Sequence, residues 1–157
     1  MTAYFLDTSA LVKRHVRETG TVWVRSLTGA KTTHTIYLAR ITAVEVTSAI
    51  TRRQRGGSLS SAQGGAILGH FRRHLAQRYR ILEVTPSLLG RAIELARHHG
   101  LRAYDAVQLA AALEVDRLHQ AAGLGPVTLI SADGELNAVA TVEGLPVDDP
   151  NAHPAAT

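Results

Sequence analysis

The sequence predicts an α/β fold built on a mainly parallel sheet, and three observations carry that prediction. Short apolar runs alternate with helical patterns along the whole chain. Most of those runs end at a residue that caps helices, so each strand leads directly into a helix. No internal repeat, low-complexity block or linker interrupts the 157 residues, a length that suits one domain.

The elements follow in order. Ala3-Tyr4-Phe5-Leu6 is a buried strand ending at Asp7-Thr8-Ser9, with a helix from Ala10. A short helix is expected over Thr21–Leu27, then a strand over Ile36–Ile41. Thr42 is placed to cap a helix running to Arg55, which Gly56-Gly57 ends. Ser58 or Ser60 opens the next helix, whose apolar stripe is Ile67, Leu68, Phe71, Leu75 and Tyr79. A strand over Arg80–Val84 leads to Thr85-Pro86, a cap followed by proline at the first helical position, and Gly100 closes that helix. An Ala/Leu-rich helix runs from Arg102 to Ala122, stopped by Gly123 and Pro126. Val127–Ile130 is a strand, Asp133 starts a helix reaching Val142, and Leu145–Val147 forms a last edge strand. Residues 148–157, with two Pro and three Ala, read as a flexible tail, leaving 1–147 as the folded domain.

Composition excludes several classes. With 45% hydrophobic residues the chain is not disordered. No apolar run approaches the ~20 residues of a membrane helix, and no basic-then-apolar leader opens the sequence. Zero Cys excludes disulfides, thiolate metal sites and Cys nucleophiles, and fits a cytoplasmic setting. The formal net charge of +4 conceals an asymmetry. Residues 40–80 hold eight Arg and one acid, Glu45, whereas residues 81–157 hold four Arg and ten acids. The basic stretch reads as a surface for a polyanion or an acidic partner, with Arg52, Arg53, Arg72 and Arg73 as its contacts.

Four acids stand at positions that matter in such a fold, where sites form outside the carboxyl ends of strands. Asp7 follows the first strand and Asp133 follows the Val127–Ile130 strand; each also suits a helix cap. Glu45 lies on an apolar helical face with Ile41 and Ala49, where an unpaired carboxylate is costly. Nearby Arg residues are the ordinary partners for it. Asp105 lies in the first turn of the long helix, which the helix dipole favours. Carboxylates converging on one rim repel one another and favour a hard cation, Mg²⁺ or Mn²⁺. Such ions activate water and stabilise a phosphodiester under attack.

Other signals point elsewhere. His70 and His74 have metal-ligand spacing but sit among Arg, so an exposed helical face is the expectation. His98-His99 complements a helix C-terminus. Gly123-Leu124-Gly125 precedes a strand, so it is no dinucleotide loop, and no Gly-x-x-x-x-Gly-Lys phosphate loop exists. An aspartyl-phosphate chemistry would want a second Asp where Ser9 stands. Trp23 reads as a packing residue, and seven aromatic residues are too few for broad base stacking, which leaves phosphate contacts to dominate.

Tyr4–Lys13, Thr42–Val46, Leu101–Ala110 and Leu129–Leu136, in this order and spacing, resemble the PIN-domain ribonucleases, in particular the VapC-type toxins of type II toxin–antitoxin systems. The resemblance implies a PIN-like three-layer α/β/α sandwich with a short, mainly parallel central sheet. It implies an acidic quartet of Asp7, Glu45, Asp105 and Asp133 around Mg²⁺ or Mn²⁺. Asp7 and Asp105 would be direct ligands, with Asp133 completing the shell and Glu45 acting on water. Ser9 would fix an acidic ligand by a hydrogen bond. The implied reaction is hydrolysis of RNA, tRNA or another structured RNA, to 5′-phosphate and 3′-hydroxyl ends. The implied partners are a VapB-like antitoxin and a second copy of the chain. A non-toxin RNA-processing nuclease, or a binding module without cleavage, is the alternative.

Overall fold

The computed structural model describes residues 2–155 of the chain. Five strands, β1 (Ala3–Leu6), β2 (Thr35–Ala39), β3 (Arg80–Leu82), β4 (Val127–Ile130) and β5 (Val147–Asp148), form one sheet in the order β3-β2-β1-β4-β5, every pair parallel. The helices are α1 (Thr8–His15), α2 (Thr21–Thr28), α3 (Thr42–Arg55), α4 (Ser61–Gln77), α5 (Pro86–His99), α6 (Ala103–Ala121) and α7 (Gly134–Val142).

Strand side chains alternate between two cores because successive residues point to opposite faces. Ala3, Phe5, Tyr37, Ala39, Val127 and Leu129 pack with α5, α6 and α7. Tyr4, Leu6, Ile36, Leu38 and Ile130 pack with α1 to α4. The result is a three-layer α/β/α sandwich whose central strands are buried on both faces, as parallel sheets require. No helix among the described residues is long and apolar enough to cross a membrane.

Local signals act largely as expected at the caps. Ser60 and Gln63 form a reciprocal capping box on α4, Thr85 caps α5 ahead of Pro86, and Gly100 ends α5 at φ 68°. Three expectations need correction. Thr42 is the first residue of α3 and Ile41 its cap, so the threonine hydroxyl is free for another partner. His74 is buried and lies edge-on to Tyr79, with the His70 ring 4.1 Å away, because the face of α4 that carries His70, Phe71 and His74 packs against α1, leaving Arg72 and Arg73 exposed. The tail is not frayed over residues 148–153. Asp148 belongs to β5, Pro150–Ala152 form a 3₁₀ turn, and the His153 ring stacks on Trp23 with centroids 3.9 Å apart. Residues 156 and 157 of the expected tail lie outside the described residues.

That C-terminal turn seats on Gly20, which has φ 86° and whose added Cβ would stand 2.3 Å from the Pro150 carbonyl oxygen. Gly123, at φ 69°, has open space around it. Gly20→Ala will therefore cost about 2 kcal/mol or more in urea unfolding, and Gly123→Ala about 1 kcal/mol. The difference isolates the clash; equal costs would show that the 150–152 turn yields freely.

Candidate active site

The strand order reverses direction at β1, with β2 and β3 on one side and β4 and β5 on the other. Open α/β sheets form crevices beyond the strand ends at such a point. A cleft of about 480 Å³ lies there. Asp7 enters it from the end of β1, Glu45 from the first turn of α3, Asp105 from the first turn of α6 and Asp133 from the segment after β4. Four acids separated by up to 126 positions in sequence thus share one cavity.

Asp7 is 4% exposed and fully engaged. Its Oδ1 accepts from Ser9 Oγ at 2.7 Å and from the Ala10 N–H at 3.1 Å, and its Oδ2 accepts from Ser131 Oγ at 3.1 Å. It is therefore an N-cap and a cleft residue at once. Burial pushes its carboxyl up from 3.8 to about 7, although the three hydrogen bonds oppose this and Asp105 adds repulsion. Ser9 also accepts from the Ala132 N–H at 2.9 Å, and Ser131 accepts from the Asp133 N–H at 3.1 Å. The two hydroxyls join the ends of β1 and β4 and fix the Asp7 carboxylate between them.

Asp133 caps α7 through Oδ1, which accepts from the N–H groups of Glu135 and Leu136. Its other oxygen faces Arg102 at 3.3 Å, and the same guanidinium lies 3.4 Å from Asp105. Asp105 is also raised above the usual carboxylate range, by burial first and then by Asp133, with Arg102 opposing and Glu45 adding repulsion. Glu45 has a neutral partner, Gln108, where an Arg was the ordinary expectation. Gln108 Nε2 donates to Glu45 Oε1 at 2.8 Å and to Thr42 Oγ1 at 2.9 Å, which is the use the structure makes of the Thr42 hydroxyl.

Of the four arginines singled out in the basic stretch, Arg53 lines the cleft and Arg52 lines the adjoining groove with Ile41, Val44 and Tyr104. Arg72 and Arg73 are exposed on α4 and do not line the cleft. Sequence reasoning missed Gln108, Ser131, Arg102, Lys13, Glu18 and Asn151. Gln108 carried a usable signal: it is a fully buried amide in the apolar run Ala106–Ala112, three residues after Asp105 and so on its face. The others depend on contacts between distant segments.

The donors in the cleft are carboxylate oxygens, which suit a hard divalent cation. Burial first, and their mutual repulsion second, raise the proton affinity of Asp7 and Asp105. As the side chains stand, no three Asp, Glu or His among the described residues close around a single point. Arg102 lies across Asp105 and Asp133 as an internal counter-cation. It is exposed, so it can withdraw at low cost.

The PIN domain profile matches residues 4–142. No curated protein matches the sequence. Solved structures similar to this chain include VapBC2 from Rickettsia felis, bound to a fragment of its promoter DNA, at 16% identity and a TM-score of 0.62, covering 94% of this chain and 98% of that one. VapC20 from Mycobacterium tuberculosis, a toxin that cleaves the sarcin–ricin loop, matches at 18% identity and a TM-score of 0.60, covering 90% and 95%. A toxin–antitoxin complex from Klebsiella pneumoniae matches at 19% identity and a TM-score of 0.58, covering 94% and 97%. The fold these structures share with the chain agrees with the profile match, and the chain belongs to the PIN domain family.

Proposed function

We propose that this protein is a metal-dependent endoribonuclease that acts as a toxin and is held inactive by an antitoxin. The observation that carries the proposal is the convergence of Asp7, Glu45, Asp105 and Asp133 from four separate elements on one cleft at the switch point of the sheet. A module that only bound RNA or protein would gain nothing from acids clustered against their own repulsion. The PIN family assignment and the toxin–antitoxin complexes of the same fold add to it.

Asp7 and Asp105 are assigned as direct ligands of Mg²⁺ or Mn²⁺, with Asp133 completing the shell. The ion, when bound, supplies charge stabilisation at the phosphodiester and lowers the pKa of water. Ser9 and Ser131 hold the Asp7 carboxylate in one rotamer, so it meets its ligand already oriented. Glu45, fixed by Gln108, takes a proton from attacking water at a carboxylate oxygen. Water adds to phosphorus, the P–O3′ bond breaks, and the departing 3′ oxygen takes a proton from solvent, leaving 5′-phosphate and 3′-hydroxyl ends. Arg52 and Arg53 beside the cleft meet the RNA backbone or an acidic antitoxin segment; Arg72 and Arg73 extend the basic surface on α4. Structured RNA such as tRNA as substrate, a VapB-like antitoxin and a homodimer belong to the same proposal.

The test is cleavage of end-labelled tRNA by purified protein with Mn²⁺, with Mg²⁺ and with EDTA. Cleavage confined to the two metal arms, with 5′-phosphate product ends, is the expected result. Undiminished cleavage in EDTA overturns the metal-dependent reading, and no cleavage of tRNA or ribosomal RNA in any arm overturns the nuclease reading.

A further inference from the structure

The cleft has a second pole. Besides the four acids it is lined by Lys13 of α1 and Arg53 of α3, with Glu18 bonded to both. Lys13 Nζ donates to Glu18 Oε2 at 3.2 Å and Arg53 Nη2 donates to Glu18 Oε1 at 3.0 Å. The triad carries a formal charge of +1. Lys13 is only 6% exposed, which is rare for an ammonium and is tolerated because a carboxylate meets it.

The site is built rather than incidental. The Glu18 N–H donates to Thr21 Oγ1 at 2.8 Å, and that hydroxyl donates in turn to the Val16 carbonyl at 3.2 Å. Gly20, against Pro150, fixes the end of the same loop. Arg53 is pinned from behind by its Nη1 donation to the Ala49 carbonyl at 3.2 Å. Both cations keep donors beyond those that Glu18 and Ala49 occupy, since an ammonium has three and a guanidinium five.

We infer that Lys13 and Arg53 form a phosphate subsite for the RNA strand in the cleft that the acids line, and that Glu18 is its internal competitor. This deepens the ribonuclease reading and rests on it. An acidic pole that gathers a divalent cation and a basic pole of net +1 together match a polynucleotide, whose phosphates repeat along the strand. The scissile phosphate goes to the acids and a neighbouring one goes to the cation pair. Glu18 holds the two side chains at a fixed spacing and withdraws one unit of their charge until a phosphate displaces it. The subsite acts by positioning the strand and not on the reacting bond.

The test measures binding of a fluorescent 12-nucleotide single-stranded RNA by anisotropy in Ca²⁺, across a salt series, with cleavage in Mn²⁺ read separately. Arg53→Met and Lys13→Met should each flatten the slope of log Kd against log salt by about 0.7, the loss of one phosphate contact on a single strand. Glu18→Gln should tighten binding about fivefold, because it leaves one more positive charge a few ångströms from the phosphate. A purely structural staple gives the opposite sign, since losing Glu18 would then disorder the site and weaken binding. Should Lys13→Met fail to fold by circular dichroism, Arg53→Met and Glu18→Gln decide the matter. Unchanged slopes, or weaker binding by Glu18→Gln, overturn the subsite whether or not the protein cleaves RNA. Loss of affinity for a poly-glutamate peptide with RNA slopes intact overturns it too, in favour of an acidic peptide. The predicted changes in a protein that never cleaves support the subsite and count against the nuclease reading alone.

Discussion

Asp7→Asn will abolish RNA cleavage and, in the same protein, raise the melting temperature of the metal-free state at pH 8. The two effects have one cause. Asp7 is buried between Ser9, Ser131 and the start of α1, and the cost of desolvating its charge holds its carboxyl near 7 against an ordinary 3.8. An acid whose folded-state pKa is raised binds its proton more tightly when folded, so the wild type loses stability as pH climbs from about 4 to about 7, and no further above that. The displacement corresponds to about 4 kcal/mol at pH 8. Asn carries no charge to desolvate and keeps an acceptor for Ser9 and Ala10, so it recovers much of that amount. In a domain of this size the gain is on the order of 5–10 °C. It should be near zero at pH 4 and reach its plateau above pH 7, which circular dichroism melts in EDTA will read. Cleavage should fall by about a hundredfold or more, since partners one layer out from a metal already cost 10- to 100-fold. A variant that melts below the wild type at pH 8, or that cleaves at the wild-type rate, removes Asp7 from the centre of the site.

That coupling of cost and use was half visible in the sequence. Asp7 and Asp133 follow apolar strands and precede helices, so both capping and site roles were legible, and in the structure both residues cap helices and line the cleft. What joins them was not legible. Ser9 and Ser131, 122 positions apart, both donate to the Asp7 carboxylate, and nothing in either local pattern announces the other. Gln108 shows the limit differently. A polar residue inside a buried helical run has to have a partner, and its reach to Glu45 and Thr42 exists only once α3 and α6 are packed beside the sheet. The C-terminal segment misled for a related reason. Two prolines, three alanines and no periodicity describe a tail, yet Pro150 meets Gly20 and His153 meets Trp23, so tertiary contacts order what local propensity leaves open. The charge count had the same blindness. Eight arginines in 40–80 establish a basic stretch, but only the turn of α3 decides that Arg53 and not Arg72 or Arg73 reaches the cleft.

Metal affinity should itself depend steeply on pH, and the sign follows from the same carboxyl. If Asp7 is a direct ligand it must be ionised to bind, so below about pH 7 each ion bound releases a proton from it. The apparent Kd for Mn²⁺ will therefore weaken about tenfold between pH 7.5 and pH 6, and continue to weaken at about tenfold per pH unit below that. Asp105 adds to the slope because burial and the neighbouring Asp133 raise its proton affinity too. Arg102 works in the opposite sense on Asp105, through its ion pair with that carboxylate. Isothermal titration in two buffers of different ionisation enthalpy will count the released protons directly. Close to one proton per ion at pH 6, falling toward zero at pH 8.5, is the expected result. Affinity that stays level from pH 5.5 to pH 8 with no proton release would mean that the ion sits on Glu45, Asp105 and Asp133 alone. The buried carboxyl of Asp7 would then serve to cap α1 and join it to the end of β4.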